Sequence, residues 1–250
     1  MNENETVSGL EDQLQGVLDQ TPELSGLGAV ARRKIARTLA IQIKRNNLTE
    51  TQTRAMKFLI SKVGELTEQT KRDLLGGRLQ FQDADIYFRK RVTGGGIQVI
   101  LDSTNVKRVG TSFIDKNFFP DRMNAVMSEI KVAYGYHATK TDPGDITYST
   151  ENPMTGGVGL VPNGLVNGEL EITGNDKPFV LLPFSDFFKT GSIVQTDSPK
   201  RDFHPLQGLR LIKELMPLNI IAKITDSLAL STDKNHFLDV TWRTVITKPR

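Results

Sequence analysis

The sequence contains no cysteine and only three histidines in 250 residues. Without cysteine the chain cannot form disulfides, thiolate metal sites or a cysteine nucleophile, and it is compatible with a reducing compartment. No apolar run approaches the ~20 residues that a membrane-spanning helix needs. The acidic start Met-Asn-Glu-Asn-Glu is unlike the basic start of a signal peptide. The net charge of +3 is small, so evidence for a polyanionic partner has to come from local clusters.

Residues that could carry catalysis or bind a metal are few and scattered. The candidates are His137, His204, His236, the pair Asp83 and Asp85, and the pair Asp142 and Asp145. The histidines lack the spacing of metal ligands, and the aspartates lack the glycine-anchored loop of a calcium site. No phosphate loop or nucleophile elbow is present. The sequence therefore predicts a protein that is not an enzyme and uses no metal, cofactor or small-molecule substrate. An enzyme with a carboxylate pair is the least supported alternative.

Residues 1–77 have the periodicity of helices and are predicted to form an N-terminal helical segment. Thr49 and Gln52 are spaced as a capping box. The apolar residues that follow are spaced for one face of a helix: Met56, Leu59, Ile60, Val63, Leu66 and Leu74. Gly76 is predicted to end this helix in the left-handed conformation. A basic helix is predicted before it, from Leu27 to Arg45.

The main cluster of charge lies in that basic helix. Its members are Arg32, Arg33, Lys34, Arg37, Lys44 and Arg45, and an acidic tail precedes them. One interpretation is a helical face that contacts nucleic-acid phosphates or anionic lipid headgroups. The other is a solvated face that pairs with the acidic tail, in the same chain or in a neighbouring subunit. No aromatic residues are interleaved with the cluster, so base stacking is not indicated.

From residue 78 to 250 the two-residue period of β-strands replaces the helical period. About eight or nine strands are predicted, with a hairpin turn at Gly174-Asn175-Asp176. The stretches Thr139–Pro162 and Thr196–Gly208 are predicted to be long loops. The last strand is predicted to have one buried side, formed by Leu238, Val240, Trp242, Thr244 and Ile246, opposite Asp239, Thr241, Arg243 and Thr247. This spacing favours an antiparallel β-sandwich.

Four phenylalanines cluster around Leu181-Leu-Pro183, and they are Phe179, Phe184, Phe187 and Phe188. A cluster of this kind is typical of a hydrophobic core. It is also typical of an apolar patch at a subunit boundary. Both interpretations remain open from the sequence.

Four segments of the β half, taken in order, carry a resemblance to a known family. They are Asn167-Gly-Glu-Leu-Glu-Ile-Thr173, Lys177-Pro-Phe-Val-Leu-Leu-Pro-Phe-Ser-Asp-Phe187, Pro217-Leu-Asn-Ile-Ile221 and Phe237-Leu-Asp-Val-Thr-Trp242. Their pattern and order resemble the jelly-roll coat proteins of small tailless icosahedral bacteriophages, including membrane-containing ones. The resemblance covers roughly residues 79–247 and rests on no diagnostic motif.

The resemblance implies a mainly β fold, with a jelly-roll-like antiparallel sandwich after the helical segment. It implies a coat subunit of the virion, made in the host cytoplasm, that assembles into an icosahedral shell. Expected partners are copies of the chain itself, other virion proteins, and packaged nucleic acid or an internal membrane. Eight or nine strands are enough for one jelly roll and few for two, so a major coat, vertex or minor virion protein all remain open. The alternative function is a carbohydrate- or cell-surface-binding sandwich with a helical oligomerisation segment.

Overall fold

The structure is a computed structural model that describes residues 3–105, 114, 116–152, 161–190, 203–226, 228 and 230–249. The fold is mainly β, with two four-stranded antiparallel sheets and a few helices. No helix in the described part of the chain is long and apolar enough to cross a bilayer.

Four helices precede the first strand. They are α1 (Glu3–Asp19), α2 (Ala29–Arg45), α3 (Glu50–Ser61) and α4 (Glu68–Leu75), and a short α5 (Asn163–Val166) lies between strands. The predicted capping box is confirmed, because the Thr49 side chain accepts from the Gln52 amide and the Gln52 side chain accepts from the Thr49 amide. The prediction for Gly76 is wrong by one residue. Gly76 has φ −83°, and the left-handed residue is Gly77 with φ 66°.

In the described part of the chain, ten strands follow helix α4. They are β1 (Leu79–Val92), β2 (Gly96–Leu101), β3 (Asn124–His137), β4 (Glu151–Asn152), β5 (Glu169–Gly174), β6 (Lys177–Pro183), β7 (Lys189–Thr190), β8 (His204–Ile212), β9 (Leu218–Ile224) and β10 (Asn235–Pro249). One sheet has the order β1-β10-β3-β8 and the other has the order β2-β9-β5-β6. The two-residue strands β4 and β7 pair with each other in parallel.

The predicted hairpin is confirmed, since β5 pairs antiparallel with β6 through a tight turn. Asn175 and Asp176 have φ of 51° and 60° in this turn. Two successive positive φ values match the right-handed twist of the flanking strands, and asparagine and aspartate tolerate them better than most residues do.

The prediction of a loop from Thr196 to Gly208 is wrong for its last five residues, because β8 begins at His204. Residues 191–202 lie outside the described part of the chain. Pro205 lacks a donor for a ladder hydrogen bond, and Gly208 has a low strand propensity. Both are tolerated because β8 is an edge strand.

The last strand is buried on both sides, which corrects the prediction of one buried side. Leu238, Val240 and Trp242 are fully buried, as predicted. On the opposite side, Asp239 is only 2% exposed and Thr241 is also buried. The polar side chains of this strand therefore lie under other parts of the chain.

The chain divides into two compact units. A helical unit contains α1–α4, the start of β1 as far as Ala84, residues 122–126 and the end of β10 from Val245. A β unit contains residues 85–121 and 127–244. The change from helix to strand falls between Leu75 and Leu79, close to the predicted boundary at 77/78. The compact units are nevertheless not contiguous in sequence, because β1, β3 and β10 each contribute to both.

Candidate interaction surfaces

Helix α2 is fixed in the helical unit by its apolar side. Ala36, Leu39, Ala40 and Ile43 are buried, and α2 packs against α1. The Gln42 side chain is also buried, and its Nε2 donates a hydrogen bond of 2.5 Å to the carbonyl oxygen of Leu79. The opposite side of α2 is therefore held toward solvent.

Two of the six basic residues of the predicted cluster form ion pairs within the chain. Arg32 Nε lies 2.7 Å from Asp19 Oδ1, and Arg33 Nε lies 3.2 Å from Glu11 Oε1. Arg32 also donates to the carbonyl oxygens of Ser25 and Leu27. The acidic partners come from α1, so part of the cluster does pair with the acidic tail in the same chain.

The other four basic residues have different surroundings. Lys34, Arg37 and Arg45 are exposed and form no ion pair within the described residues. Lys44 is half-buried and takes part in contacts of its own. Because α2 contains no acidic residue, its exposed side carries a net positive charge of its own.

Among the described residues of the helical unit, three large hydrophobic side chains are exposed, and they lie on α2 or just before it. Val30 is 85% exposed, Ile41 is 49% exposed, and Leu27, two residues before the helix begins, is 37% exposed. Val30 and Ile41 lie on the side of the helix that carries Lys34 and Arg37, since these residues are spaced three or four apart. Sequence reasoning missed these apolar residues, although their spacing among the cations was the available signal.

The sheet β2-β9-β5-β6 has one buried side and one open side. On the buried side Leu170, Ile172, Ile220 and Ala222 have no exposed surface. The open side, called the open face below, carries two rows of residues in register across the strands. These rows are Val99, Ile221, Glu171 and Leu181, and next to it Ile97, Lys223, Glu169 and Pro183.

Apolar side chains of the open face are exposed to solvent. Ile97 is 68% exposed and Leu181 is 58% exposed. On the inner strands, between the edge strands β2 and β6, Lys223 forms an ion pair with Glu171. The hydrogen bond that Lys223 donates to Glu171 raises the pKa of Lys223. The pairing register shifts between Val99 and Leu101, so Leu101 turns into the core while Ile97 and Val99 stay outside.

A second apolar surface, called the corner below, lies where two turns meet in the β unit. Phe118 and Leu215 are both exposed, and their segments are joined by hydrogen bonds between Phe119 and residues 215 and 216. Leu215 has φ 56°, in the left-handed region that a leucine rarely adopts. Folding alone gives no reason for an exposed leucine in this conformation, because glycine or asparagine adopts it at lower cost.

The sheet β1-β10-β3-β8 carries buried polar side chains on the side of β10 that faces away from Trp242. These side chains and their partners are called the polar layer. Asp239 of β10 pairs with Arg89 of β1 at 3.4 Å, and the Arg89 guanidinium lies between the rings of Tyr87 and Tyr148 at 4.7 and 5.1 Å. Burial raises the pKa of Asp239 and outweighs the opposite effects of Arg89, Lys131 and Thr241. Burial also raises the pKa of Tyr148. These contacts make the layer a network of ion pairs, hydrogen bonds and ring contacts that joins β1, β10 and the loop after β3.

The loop after β3 supplies the cover of this layer. The backbones of Tyr134 and Ser149 exchange two hydrogen bonds of 2.9 Å, and the Tyr148 hydroxyl donates to the carbonyl oxygen of Pro143. A Cβ on Gly135 would lie 2.6 Å from the carbonyl oxygen of Thr147. Glycine is therefore required at position 135 for the loop to approach the strand. Residues 153–160 of the predicted loop lie outside the described part of the chain.

The phenylalanine cluster belongs to the core of the β unit. Phe184, Phe187 and Phe188 are buried, and the rings of Phe184 and Phe188 lie 6.1 Å apart. Phe179 is half-buried. Of the two interpretations left open, burial favours the core for the first three residues and leaves only Phe179 with surface for a partner.

The candidate catalytic residues do not converge. His236 is buried between Tyr134 and Ser231 and hydrogen-bonds to both, while His137 accepts hydrogen bonds from the backbone of its own turn. The Asp142 side chain accepts from the Gly144 amide, which is the local role of an aspartate in a turn. Asp85 lies 3.9 Å from Arg243. No group of three or more potential metal ligands occurs among the described residues.

A polar cleft of about 510 Å³ lies in the helical unit. Its lining is Asn46, Asn47, Leu48, Thr49, Gln52, Gln80, Phe81, Gln82 and Lys248. Several of these groups are already hydrogen-bonded. Gln52 is part of the capping box and also donates to Asp83, and Gln82 accepts from Lys248.

Comparison of the chain with protein-family models, with curated proteins and with solved structures finds no match. The function is therefore argued from the residues and surfaces described above.

Proposed function

We propose that the chain is a self-assembling structural subunit, a coat protein of an icosahedral virion built on a jelly-roll sandwich. Its partners are copies of itself and other virion proteins. Its function is to bury apolar surface against neighbouring subunits, so no catalytic group, metal or cofactor is needed.

The order of strand pairing supports the jelly roll. When the two-residue strands β4 and β7 are left aside, eight strands remain. The first pairs with the last (β1 with β10), the second with the seventh (β2 with β9), the third with the sixth (β3 with β8) and the fourth with the fifth (β5 with β6). A long hairpin that is wound into two sheets has this nested pairing, and so does a jelly roll.

The observation that carries the assembly function is the presence of two separate apolar surfaces on the β unit. The open face presents Ile97 and Leu181, and the corner presents Phe118 and Leu215. Exposed apolar side chains on rigid strands and turns are typical of protein–protein contacts. Two distinct contact surfaces allow a subunit to bind different neighbours, as a closed shell requires.

The test is the size of the purified protein, measured by light scattering after size-exclusion chromatography and by electron microscopy. The wild type is expected to form discrete multimers or shells. The variant Ile97→Lys with Leu181→Lys is expected to form no shells or large multimers while its circular dichroism spectrum stays unchanged, because each lysine places a charge in the apolar contact of the open face. A wild type that stays monomeric at high concentration contradicts the proposal.

The matched control is Val30→Lys with Ile41→Lys, which adds the same charge to exposed apolar positions of the helical unit. We expect this variant to assemble as the wild type does. Leu215→Asn provides an independent check. Asparagine lowers the free-energy cost of the left-handed backbone at position 215 by about 1 kcal/mol, so the variant should stabilise the subunit. It should also weaken assembly, because it removes an exposed apolar side chain of the corner. Assembly that is unaffected by Leu215→Asn excludes the corner as a contact.

The amide-lined cleft favours a second candidate function, a carbohydrate-binding module. Amide and hydroxyl groups are the donors and acceptors that a sugar ring uses, and Asn47 and Gln80 make no side-chain hydrogen bond within the described residues. Against it, no aromatic side chain in the described lining is exposed as a stacking platform, since Phe81 is buried. Binding of a glycan that is lost in Asn47→Ala with Gln80→Ala, in a protein that stays a small oligomer, would favour this function over the coat protein.

A further inference from the structure

We propose that the exposed side of α2 is a docking surface for an anionic lipid bilayer. This surface, called the α2 face, consists of Val30, Lys34, Arg37, Ile41 and Arg45. It does not depend on the coat-protein proposal, because a single subunit presents all of it.

The α2 face is a continuous stripe along one rigid helix. Its five residues follow one another at intervals of three or four, which places them on one side of an α-helix. From Val30 to Arg45 the stripe is roughly 22 Å long at about 1.5 Å per residue. The buried contacts on the opposite side of the helix hold this stripe outward.

The charge of the α2 face fits an anionic surface. Lys34, Arg37 and Arg45 are exposed, and none forms an ion pair within the described part of the chain. Two carboxylates of α1, Glu11 and Asp19, are already paired with Arg33 and Arg32. Within the described residues the three cations therefore have no ion-pair partner, and each would contribute separately to attraction by anionic headgroups.

The apolar residues of the α2 face distinguish a lipid surface from a nucleic acid. Val30 and Ile41 are exposed among the cations, and Leu27, two residues before the helix, is exposed as well. A nucleic-acid backbone would satisfy the cations but leave these side chains in water. The headgroup layer of a bilayer accepts both, since lysine and arginine bind phosphates while valine and isoleucine insert between the acyl chains. α2 also contains no aromatic residue on which a base could stack.

The experiment is vesicle co-sedimentation of the full chain, with vesicles of pure phosphatidylcholine and vesicles that contain 30% phosphatidylglycerol. A single-stranded 30-nucleotide DNA is the competing ligand, with binding measured by fluorescence anisotropy. The background is the Ile97→Lys, Leu181→Lys variant, so that multivalent binding by assembled particles does not contribute. We expect binding to the anionic vesicles, little binding to the neutral ones, and weakening at high salt.

Two sets of substitutions separate charge from apolar contact. Neutralising Lys34, Arg37 and Arg45 to glutamine should weaken vesicle binding on the order of 100-fold. Val30→Ser with Ile41→Ser should weaken it about tenfold and leave DNA binding unchanged. The matched control neutralises Arg54, Arg91 and Lys177, three exposed cations outside the α2 face. It changes the net charge equally and should leave vesicle binding near the wild-type value.

Three outcomes overturn the proposal. The first is no preference for anionic over neutral vesicles. The second is vesicle binding that falls as much in the control as in the α2-face variant, which would reduce the effect to net charge. The third is DNA binding that is tighter than vesicle binding and insensitive to Val30→Ser with Ile41→Ser, which would assign the α2 face to nucleic acid. None of these outcomes bears on whether the chain assembles.

Discussion

Strands β9 and β10 occupy inner positions in two four-stranded sheets but differ in what covers them. Strand β9 alternates between buried and accessible residues, whereas β10 is buried on both sides over most of its length. In the β unit, the loop that ends at Thr150 covers the polar side of β10 with Tyr148. No described segment covers the open face. The comparison indicates which sheet surface is available to a partner, because the described part of the chain covers one sheet and leaves the other open.

The same kind of ion pair occurs on both sheets in different settings. Arg89 and Asp239 are held under the cover, with the Asp239 side chain almost fully buried, while Lys223 and Glu171 lie on the open face. Taking charges out of water is costly, so removing one partner of a buried pair has a large effect. An exposed pair is screened by water and contributes little. The comparison can be tested by four sets of substitutions.

The largest effect is expected for Trp242, which is fully buried against Phe88 with ring centroids 4.8 Å apart. Trp242→Ala should lower the free energy of unfolding by about 4 kcal/mol, because it leaves a cavity in the core. Leu181→Ala on the open face should change it by less than about 0.5 kcal/mol. Urea denaturation of both variants measures the difference, and similar losses would contradict the assignment of buried and open sides.

Trp242→Phe is the matched control for that loss. The indole Nε1 is buried and has no hydrogen-bond acceptor among the described residues. Phenylalanine removes this unpaired donor while it retains most of the apolar volume. The cost of Trp242→Phe should therefore stay below about 1.5 kcal/mol.

The second largest loss of stability is expected when the buried ion pair is broken, in comparison with the exposed pair. Arg89→Met keeps an apolar stem beside Tyr87 and Tyr148 but removes the ion-pair partner of Asp239. It should cost about 3 kcal/mol, whereas Lys223→Met should cost clearly less, because water screens the exposed pair. Denaturation at neutral pH measures both. In the double variant Arg89→Met with Asp239→Leu, part of the loss should be recovered, and strict additivity would mean that the two residues do not interact.

A smaller effect is expected at Gly135, where the covering loop meets β3. Gly135→Ala would force the backbone of Thr147 away from the strand and should cost about 2 kcal/mol. Limited proteolysis should cut within residues 138–150 faster in this variant than in the wild type. Gly94→Ala is the control, since its Cβ would have no neighbour nearer than 3.9 Å. Equal protection of the loop in Gly135→Ala and wild type would show that the loop does not need this close approach.

The smallest effect is a pH dependence from Asp239. Its pKa is raised in the folded state, so its contribution to stability is fully present below the unfolded pKa of about 3.9 and is lost as pH rises through the folded value. The stability of the wild type relative to Asp239→Asn should therefore fall between pH 3 and pH 7. Asp102→Asn should show the opposite slope, because hydrogen bonds from Thr104 lower the pKa of Asp102. The pH dependence of the stability difference would contradict the burial of Asp239 if it were the same for Asp239→Asn and Asp102→Asn.

Sequence reasoning located elements well where local chemistry determines them. The capping box at Thr49, the turn at Asn175 and the alternation of Leu238, Val240 and Trp242 are properties of neighbouring residues. It was wrong at Gly76 by one residue and missed the strand that begins at His204. In the second case Pro205 weakens the strand signal, and only the position of β8 at a sheet edge makes this proline acceptable.

For the candidate surfaces, the sequence identified the basic cluster but could not decide which cations are free. Arg32 and Arg33 differ from Lys34 and Arg37 only because the packing of α1 on α2 brings Asp19 and Glu11 to the first two. Likewise, Val180 and Leu181 are neighbouring apolar residues of one strand, and the local sequence does not show which of them is buried. Val180 is buried and Leu181 is exposed because they lie on opposite sides of the sheet.

The sequence by itself determined the helical first part, the β second part, the turns and the residues that alternate along each strand. These features follow from interactions between residues a few positions apart. The tertiary structure decided that the polar side of β10 is covered, that no described segment covers the open face, and that Lys34, Arg37 and Arg45 form no ion pair with a described residue. These outcomes depend on which distant segments meet, and burial and ion pairing between distant segments are set by packing rather than by local sequence.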